Sequence, residues 1–106
     1  MAADGYEAVL TNLFEEDLDT ELAWRAHEVG PGSAASFLDS FEQAKDAAVS
    51  FPAFMPQVEG SDYRWVPVKK RVAVFRIDER ARRVVFLRLY NASSNWKSVL
   101  RKSAKS

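Results

Sequence analysis

A chain of 106 residues, 47% apolar and 12% aromatic, suffices for one domain with a single core that folds without staples. It has no cysteine, which excludes disulfides, thiolate zinc sites, iron–sulfur clusters and a cysteine nucleophile. Its formal charge of zero hides two opposed halves: residues 63–106 carry thirteen Lys/Arg and two Asp/Glu, and residues 1–62 carry two Lys/Arg and thirteen Asp/Glu.

Tyr6–Thr11 (YEAVLT) is short and apolar-rich, as a strand is. Thr11 or Asn12 then caps a helix with Glu15, Glu16 and Asp17 in its first turn, where the helix dipole favours negative charge. Phe14, Leu18, Leu22, Ala26 and Val29 follow at helical spacing as one apolar stripe. Gly30-Pro31-Gly32 stops this helix, and Ser33 is the expected cap of a second. Phe37, Phe41, Ala44, Ala48 and Phe51 share one face of it, widened by Leu38 and Val49, and Phe51-Pro52 ends it. Two adjacent amphipathic helices predict an antiparallel helical hairpin.

After a Pro-containing loop the period changes to two. Tyr63–Val68 (YRWVPV) alternates as a strand, with Pro67 arguing for a strand end or a sheet edge. Arg71–Asp78 (RVAVFRID) is apolar on both faces, which suits a central strand. A charged turn over Asp78–Arg82 leads into Arg83–Tyr90 (RVVFLRLY). Asn91–Asn95 is a loop in which Ser94 can cap a short helix holding Trp96, Val99 and Leu100, and residues 97–106 form a basic C-terminal tail. The order β-α-α-β-β-β predicts an α+β domain over residues 1–106, with the helical hairpin on one face of a mainly antiparallel sheet. The opening MAADGYEAVL has no basic n-region, and no apolar run nears the ~20 residues of a membrane span, so a soluble cytoplasmic chain is expected. The basic half coincides with the strands, and a sheet so charged points to an anionic partner such as nucleic acid or an acidic protein segment.

The block from Gly60 to Trp96 resembles the C-terminal half of the RelE/ParE superfamily of bacterial toxins. Members typically show a tyrosine-led strand, a basic turn, a strand ending in an aromatic residue, Arg and Asp, and a closing strand before a loop with a terminal aromatic. The matching positions are Tyr63-Arg64, Lys69-Lys70-Arg71, Phe75-Arg76-Ile77-Asp78, Val84–Tyr90 and Trp96. The opening strand, the acid-capped first helix, the second helix and the Phe51-Pro52 stop occur in the family's order. The resemblance therefore spans roughly Tyr6 to Trp96, and its specificity lies in order and length rather than in any one motif. It implies a small toxin of a type II toxin–antitoxin module, masked by a cognate antitoxin whose tail wraps the helices and sheet. RelE-like members cut mRNA on the ribosome; ParE-like members inhibit DNA gyrase and cleave nothing. No cofactor is implied.

A RelE-type ribonuclease must activate a ribose 2′-hydroxyl, stabilise a phosphorane and protonate the leaving oxygen, which clustered Lys, Arg and Tyr can do without metal. Arg76, Arg88 and Tyr90 are the candidates for that chemistry, since a mid-strand Arg is costly unless paired or used. The bland reading of Arg76 and Arg88 is an ion pair to an acidic helix residue or Asp78. Arg64, Lys69, Lys70, Arg71, Trp96, Lys97 and Arg101 are the candidates for contacting the target, and Leu22 and Trp24 for contacting the antitoxin. Two departures favour a ParE-like or divergent member. Where RelE-like members place a basic residue inside the central strand, Val72 stands here with Arg71 one step early, and one step turns a side chain to the other sheet face. Their second basic residue, after the last strand, is missing from Asn91–Asn95. The alternatives are a ribosome-dependent mRNA endonuclease and a nontoxic RNA- or protein-binding module on the same fold.

Other signals have structural readings. His27 is the single histidine, at a helix end where positive charge suits the dipole, so no metal site is expected. Glu15, Glu16, Asp17, Asp19 and Glu21 read as a solvated helix face. Arg80, Arg82 and Arg83 read as turn positions. The acidic half is also compatible with a homodimer in which its helices meet the basic sheet of another copy.

Overall fold

The computed structural model describes residues 5–105, and their side chains as far as Lys102. Strand β1 (Glu7–Leu10) passes directly into helix α1 (Asn12–Glu28), and the Thr11 hydroxyl caps that helix by accepting from the Phe14 amide at 3.1 Å. Helix α2 (Pro31–Ser50) and a 3-10 turn (Pro52–Phe54) lead into strands β2 (Tyr63–Val68), β3 (Arg71–Asp78) and β4 (Arg83–Asn91), followed by helix α3 (Trp96–Lys105). The sheet order is β1-β4-β3-β2: β2, β3 and β4 are antiparallel neighbours, and β1 runs parallel to β4. This is the expected α+β arrangement. Pro67 lies on the edge strand β2, and β3 is flanked on both sides.

Period-two alternation divides the strand side chains between two cores. On one face Val66, Val68, Ala73, Phe75, Val84 and Phe86 meet Phe14, Leu18, Phe37, Phe41 and Ala48 of the helical hairpin. Phe14, Phe41, Phe75 and Phe86 pack with ring centroids 5.3–5.8 Å apart, the range in which tilted aromatic pairs attract. On the other face Val72 and Val74, with Val58 from the loop before β2, lie under Trp96 and Leu100 of α3. A bulge sets Val74 against Arg88 but Phe75 against Phe86, so Leu87 is the additional residue of β4.

Several local expectations are corrected. Leu22 is only half-buried, and Ala26 and Val29 are exposed; the inward line of α1 runs through Phe14, Leu18, Glu21 and Arg25. Each i+4 step oversteps the helical turn by about 40°, so Ala26 stands about 120° from Phe14. Pro31 does not stop α1, which closes on the Val29 amide bonded to the Arg25 carbonyl, but opens α2 from its first position, with Gly30 as the cap at φ 141°. Ser33 is therefore inside the helix rather than its cap. Phe51 leaves the α2 stripe because the backbone turns out of the helix there; it is 59% exposed and stacks on Phe54 at 5.9 Å. Of the acidic trio, only Glu15 lies in the first turn of α1. Ser94 does not cap α3: its hydroxyl donates to the Asn91 carbonyl at 2.6 Å, while the Asn95 carbonyl accepts from the Val99 amide. The basic tail is helical through Lys105, and Trp96 and Leu100 anchor that helix in the core.

Candidate functional site

The acidic residues of α1 do not form a uniformly solvated face. β1 is shorter than β4, so the backbone of β4 beyond Phe86 lacks a strand partner on that side. The start of α1 fills the gap. The Thr11 amide donates to the Phe86 carbonyl, the Thr11 hydroxyl to the Leu87 carbonyl, and the Leu89 amide to Asp17 Oδ2 at 3.0 Å. The same carboxylate takes Arg88 Nε at 2.8 Å and Nη2 at 3.3 Å. The bond to Asp17 holds the Arg88 guanidinium above its already high ordinary pKa, so it is a permanent cation.

Glu21 is the second inward acid, 8% exposed. Arg71 Nε and Arg25 Nε each donate to one of its oxygens at 2.7 Å. Burial by itself pushes this carboxyl up, and the two guanidinium bonds, from Arg71 and Arg25, outweigh it and hold the group below its ordinary range. Arg25 also lies over the Phe37 ring at 4.6 Å and reaches the Ser33 hydroxyl at 3.4 Å. Arg71 thus faces the helical hairpin, while its neighbour Val72 faces α3.

The register places Tyr63, Arg76, Arg88 and Tyr90 on the α3 side of the sheet, with Arg76 opposite Tyr63, Arg88 opposite Val74 and Tyr90 opposite Val72. Arg76 is exposed and has no ion-pair partner among the described residues. Arg88 lies 5.7 Å over the Tyr90 ring. Burial pushes the Tyr90 phenol up, more than the neighbouring Arg88 lowers it, so the hydroxyl stays protonated and able to donate. Trp96, only 6% exposed, stacks on Tyr90 at 6.1 Å and meets Trp65 edge-on at 5.7 Å. Lys97 sits 5.6 Å over Trp65 and 5.5 Å over Trp96, and Arg101 is exposed on the same helix.

The remaining sequence candidates fall elsewhere. Arg64 Nη1 donates to the carbonyls of Ala53 and Met55, at 3.3 and 2.8 Å, and ties down the chain between α2 and β2. Leu22 packs against the hairpin-side core. Lys69 and Lys70 form the two-residue turn between β2 and β3, with Lys69 at φ 55°. That turn faces the α1–α2 corner across a groove of about 430 Å³ lined by Trp24, Arg25, Val29, Ser33, Lys69, Lys70 and Arg71. His27 bonds Glu28 at 2.9 Å on the surface. Among the described residues no group of three or more His, Asp or Glu could hold a metal ion, and no helix is long and apolar enough to cross a membrane.

No protein-family model matches the chain, and no curated protein matches it in sequence. Solved structures do. A chain from the chromosomal ParDE toxin–antitoxin system of P. aeruginosa superposes with a TM-score of 0.70 at 17% identity, covering 86% of this chain and 100% of that one. A chain from the toxin–antitoxin complex RelBE2 of Mycobacterium tuberculosis gives a TM-score of 0.58 at 20% identity, over 87% of this chain and 98% of that one.

The fold is RelE/ParE-like.

On this RelE/ParE-like scaffold the sheet gathers Arg76, Arg88 and Tyr90 on one face and separates Arg71, Lys69 and Lys70 from them. Arg76 is the unpaired strand cation of that face, Arg88 is offset by Asp17 and Tyr90 is a neutral phenol, so the face can attract an anion and donate hydrogen bonds. A side chain able to take a proton near neutral pH is not among the three. Asp17 is the acidic helix residue that the ion-pair reading of Arg88 called for, while Arg76 has no such pair among the described residues and Glu21 as the partner of Arg71 and Arg25 was not foreseen. Arg88, in the middle of an apolar strand, signalled its acid, whereas Arg71, after Lys69-Lys70 at the start of β3, gave no such signal for Glu21.

Proposed function

We propose that this chain is the toxin of a two-component toxin–antitoxin module, neutralised by a cognate antitoxin, with a ParE-like, gyrase-directed or divergent action rather than ribosome-dependent mRNA cleavage. The observation that carries the toxin reading is the RelE/ParE-like fold shared over 86% and 87% of the chain with members of two toxin–antitoxin assemblies. Target contact is assigned to the exposed basic surface on the α3 side of the sheet, with Arg76 as its unpaired strand cation and Lys97 and Arg101 exposed on α3.

The side-chain chemistry supports the non-ribonuclease branch. Arg71 is committed to Glu21 on the opposite face, and Arg88 to Asp17. The loop after β4 closes on itself: the Ser93 amide and hydroxyl donate to the Asn91 carboxamide oxygen, and the Ser94 hydroxyl to the Asn91 carbonyl. A self-dimer of acidic helices on another copy's basic sheet is not part of this proposal, because Asp17 and Glu21 meet their cations within the chain. The test is induced expression of the chain alone in a bacterium, with plasmid supercoiling and ribosome-bound mRNA both followed. Growth arrest with altered supercoiling and intact mRNA is expected. Arrest with mRNA cut at codon boundaries would establish the RelE-like enzyme instead. No arrest from folded protein would leave a binding module.

A further inference from the structure

The groove between the α1–α2 corner and the β2–β3 turn is unlike the rest of the basic surface. Arg25, Lys69, Lys70 and Arg71 line it together with Trp24, Val29 and Ser33, none of them an acid, and the carboxylate of Glu21 that binds Arg25 and Arg71 is buried outside the lining. Neither Lys69 nor Lys70 has an acidic partner among the described residues. The two arginines are held in place by Glu21, by the Phe37 ring and by the Ser33 hydroxyl. The same groove exposes Trp24 at 52% and Val29 at 67%, side chains with no core to fill at that corner. Excess positive charge, fixed guanidinium groups and two exposed apolar side chains therefore share one concave site.

We propose that this groove is a docking site for a short acidic segment of a partner protein that carries at least one apolar side chain. The carboxylates would meet Lys69, Lys70 and the outer edges of Arg25 and Arg71, and the apolar side chain would lie against Trp24 and Val29. Val29 decides between a peptide and a nucleic acid: Trp24 and the cations serve either, but an exposed branched aliphatic side chain offers nothing to a phosphate and no stacking surface to a base. Rigid arginines lower the ordering cost of such a complex. The inference rests on the toxin reading only for the partner's identity, which would be the antitoxin; the groove's chemistry is independent of it.

The test uses the purified full chain and a fluorescein-labelled peptide of alternating Glu and Leu, with a labelled oligo-dT of equal length for comparison, followed by anisotropy. Binding of the peptide is expected, weakening as salt is raised. Lys70→Glu should weaken it by roughly tenfold or more, since like charges at a contact repel strongly. Arg80→Glu, the same charge change on the far turn, should leave it unaltered. Trp24→Ala should weaken peptide binding at fixed charge. Thermal melts confirm folding, and Lys70→Gln serves where Lys70→Glu does not fold. Equal losses from Lys70→Glu and Arg80→Glu would overturn the proposal, as would no peptide binding at low salt. Oligo-dT binding that alone depends on Lys70 and Trp24 would make the groove a nucleic-acid site and overturn it too. A chain that binds the peptide but does not arrest growth keeps the groove and loses the toxin reading; the converse separates them the other way.

Discussion

Glu21 is where a single residue does most to join the layers. It lies on α1, Arg71 opens β3, and Arg25 stands one turn further along the helix, so one carboxylate fastens the helical hairpin to the central strands. Removing one member of such a buried set leaves uncompensated charge, so Glu21→Gln should cost about 3 kcal/mol in urea denaturation. The pH dependence follows from the lowered folded pKa. The unfolded group titrates near the ordinary value of about 4.3, so its contribution is complete above that pH and disappears as acid carries the solution down through the folded value. Urea midpoints measured from neutral pH downward should fall steeply at the acid end in the parent chain, and less so in Glu21→Gln. Asp17 and Arg88 are more exposed, and a double-mutant cycle between them should give a coupling of about 1 kcal/mol. Asp17→Ala should exceed that because it also strands the Leu89 amide.

At the scale of elements, the periodicities that locate α1, α2 and the four strands were legible because helix and strand each impose one repeat on the apolar residues. The corners were not. Whether Gly30-Pro31-Gly32 stops one helix or starts the next depends on Pro31, whose missing N–H suits the first position of α2 as well as it suits a break. The short helix expected around Trp96, Val99 and Leu100 is there, but its basic content gave no sign that Trp96 and Leu100 close a second core while Val99 stays exposed. Trp96→Ala should therefore destabilise by about 3 kcal/mol, and Lys97→Ala, on the exposed side of the same helix, by well under 1 kcal/mol. The two melts together test whether α3 is a structural element. The β2–β3 turn offers the opposite sign. Lys69 occupies the left-handed region at φ 55°, where a side chain is strained. Lys69→Gly should raise stability by about 0.5–1 kcal/mol, seen as a Tm increase of several degrees.

For the whole molecule, the split of charge along the sequence becomes complementarity between layers. The acidic half supplies β1 and both hairpin helices, and the basic half supplies the strands they cover. Glu7–Arg83 at 3.7 Å, Asp17–Arg88 at 2.8 Å and Glu21–Arg71 at 2.7 Å all join one half to the other. Composition predicted the charge of each half but not their meeting, because a run of acids on one helix reads the same whether it faces water or a distant arginine. The basic strands keep a surplus after this pairing, at Arg76, Lys69 and Lys70, and those are the places assigned to partners. Layers of opposite sign attract over distances that salt screens, so stability should fall as ionic strength rises, most steeply at low salt, where the Debye length is ~30 Å at 0.01 M and ~10 Å at 0.1 M. The buried Glu21 set is screened least, which sets a floor under the loss. Urea titrations across a sodium chloride series should show a decline of about 1 kcal/mol that then levels off. Guanidinium chloride, itself a salt, should report a lower stability than urea. A stability that climbs with salt from the start would mean that repulsion among the surplus cations outweighs the attraction between the layers.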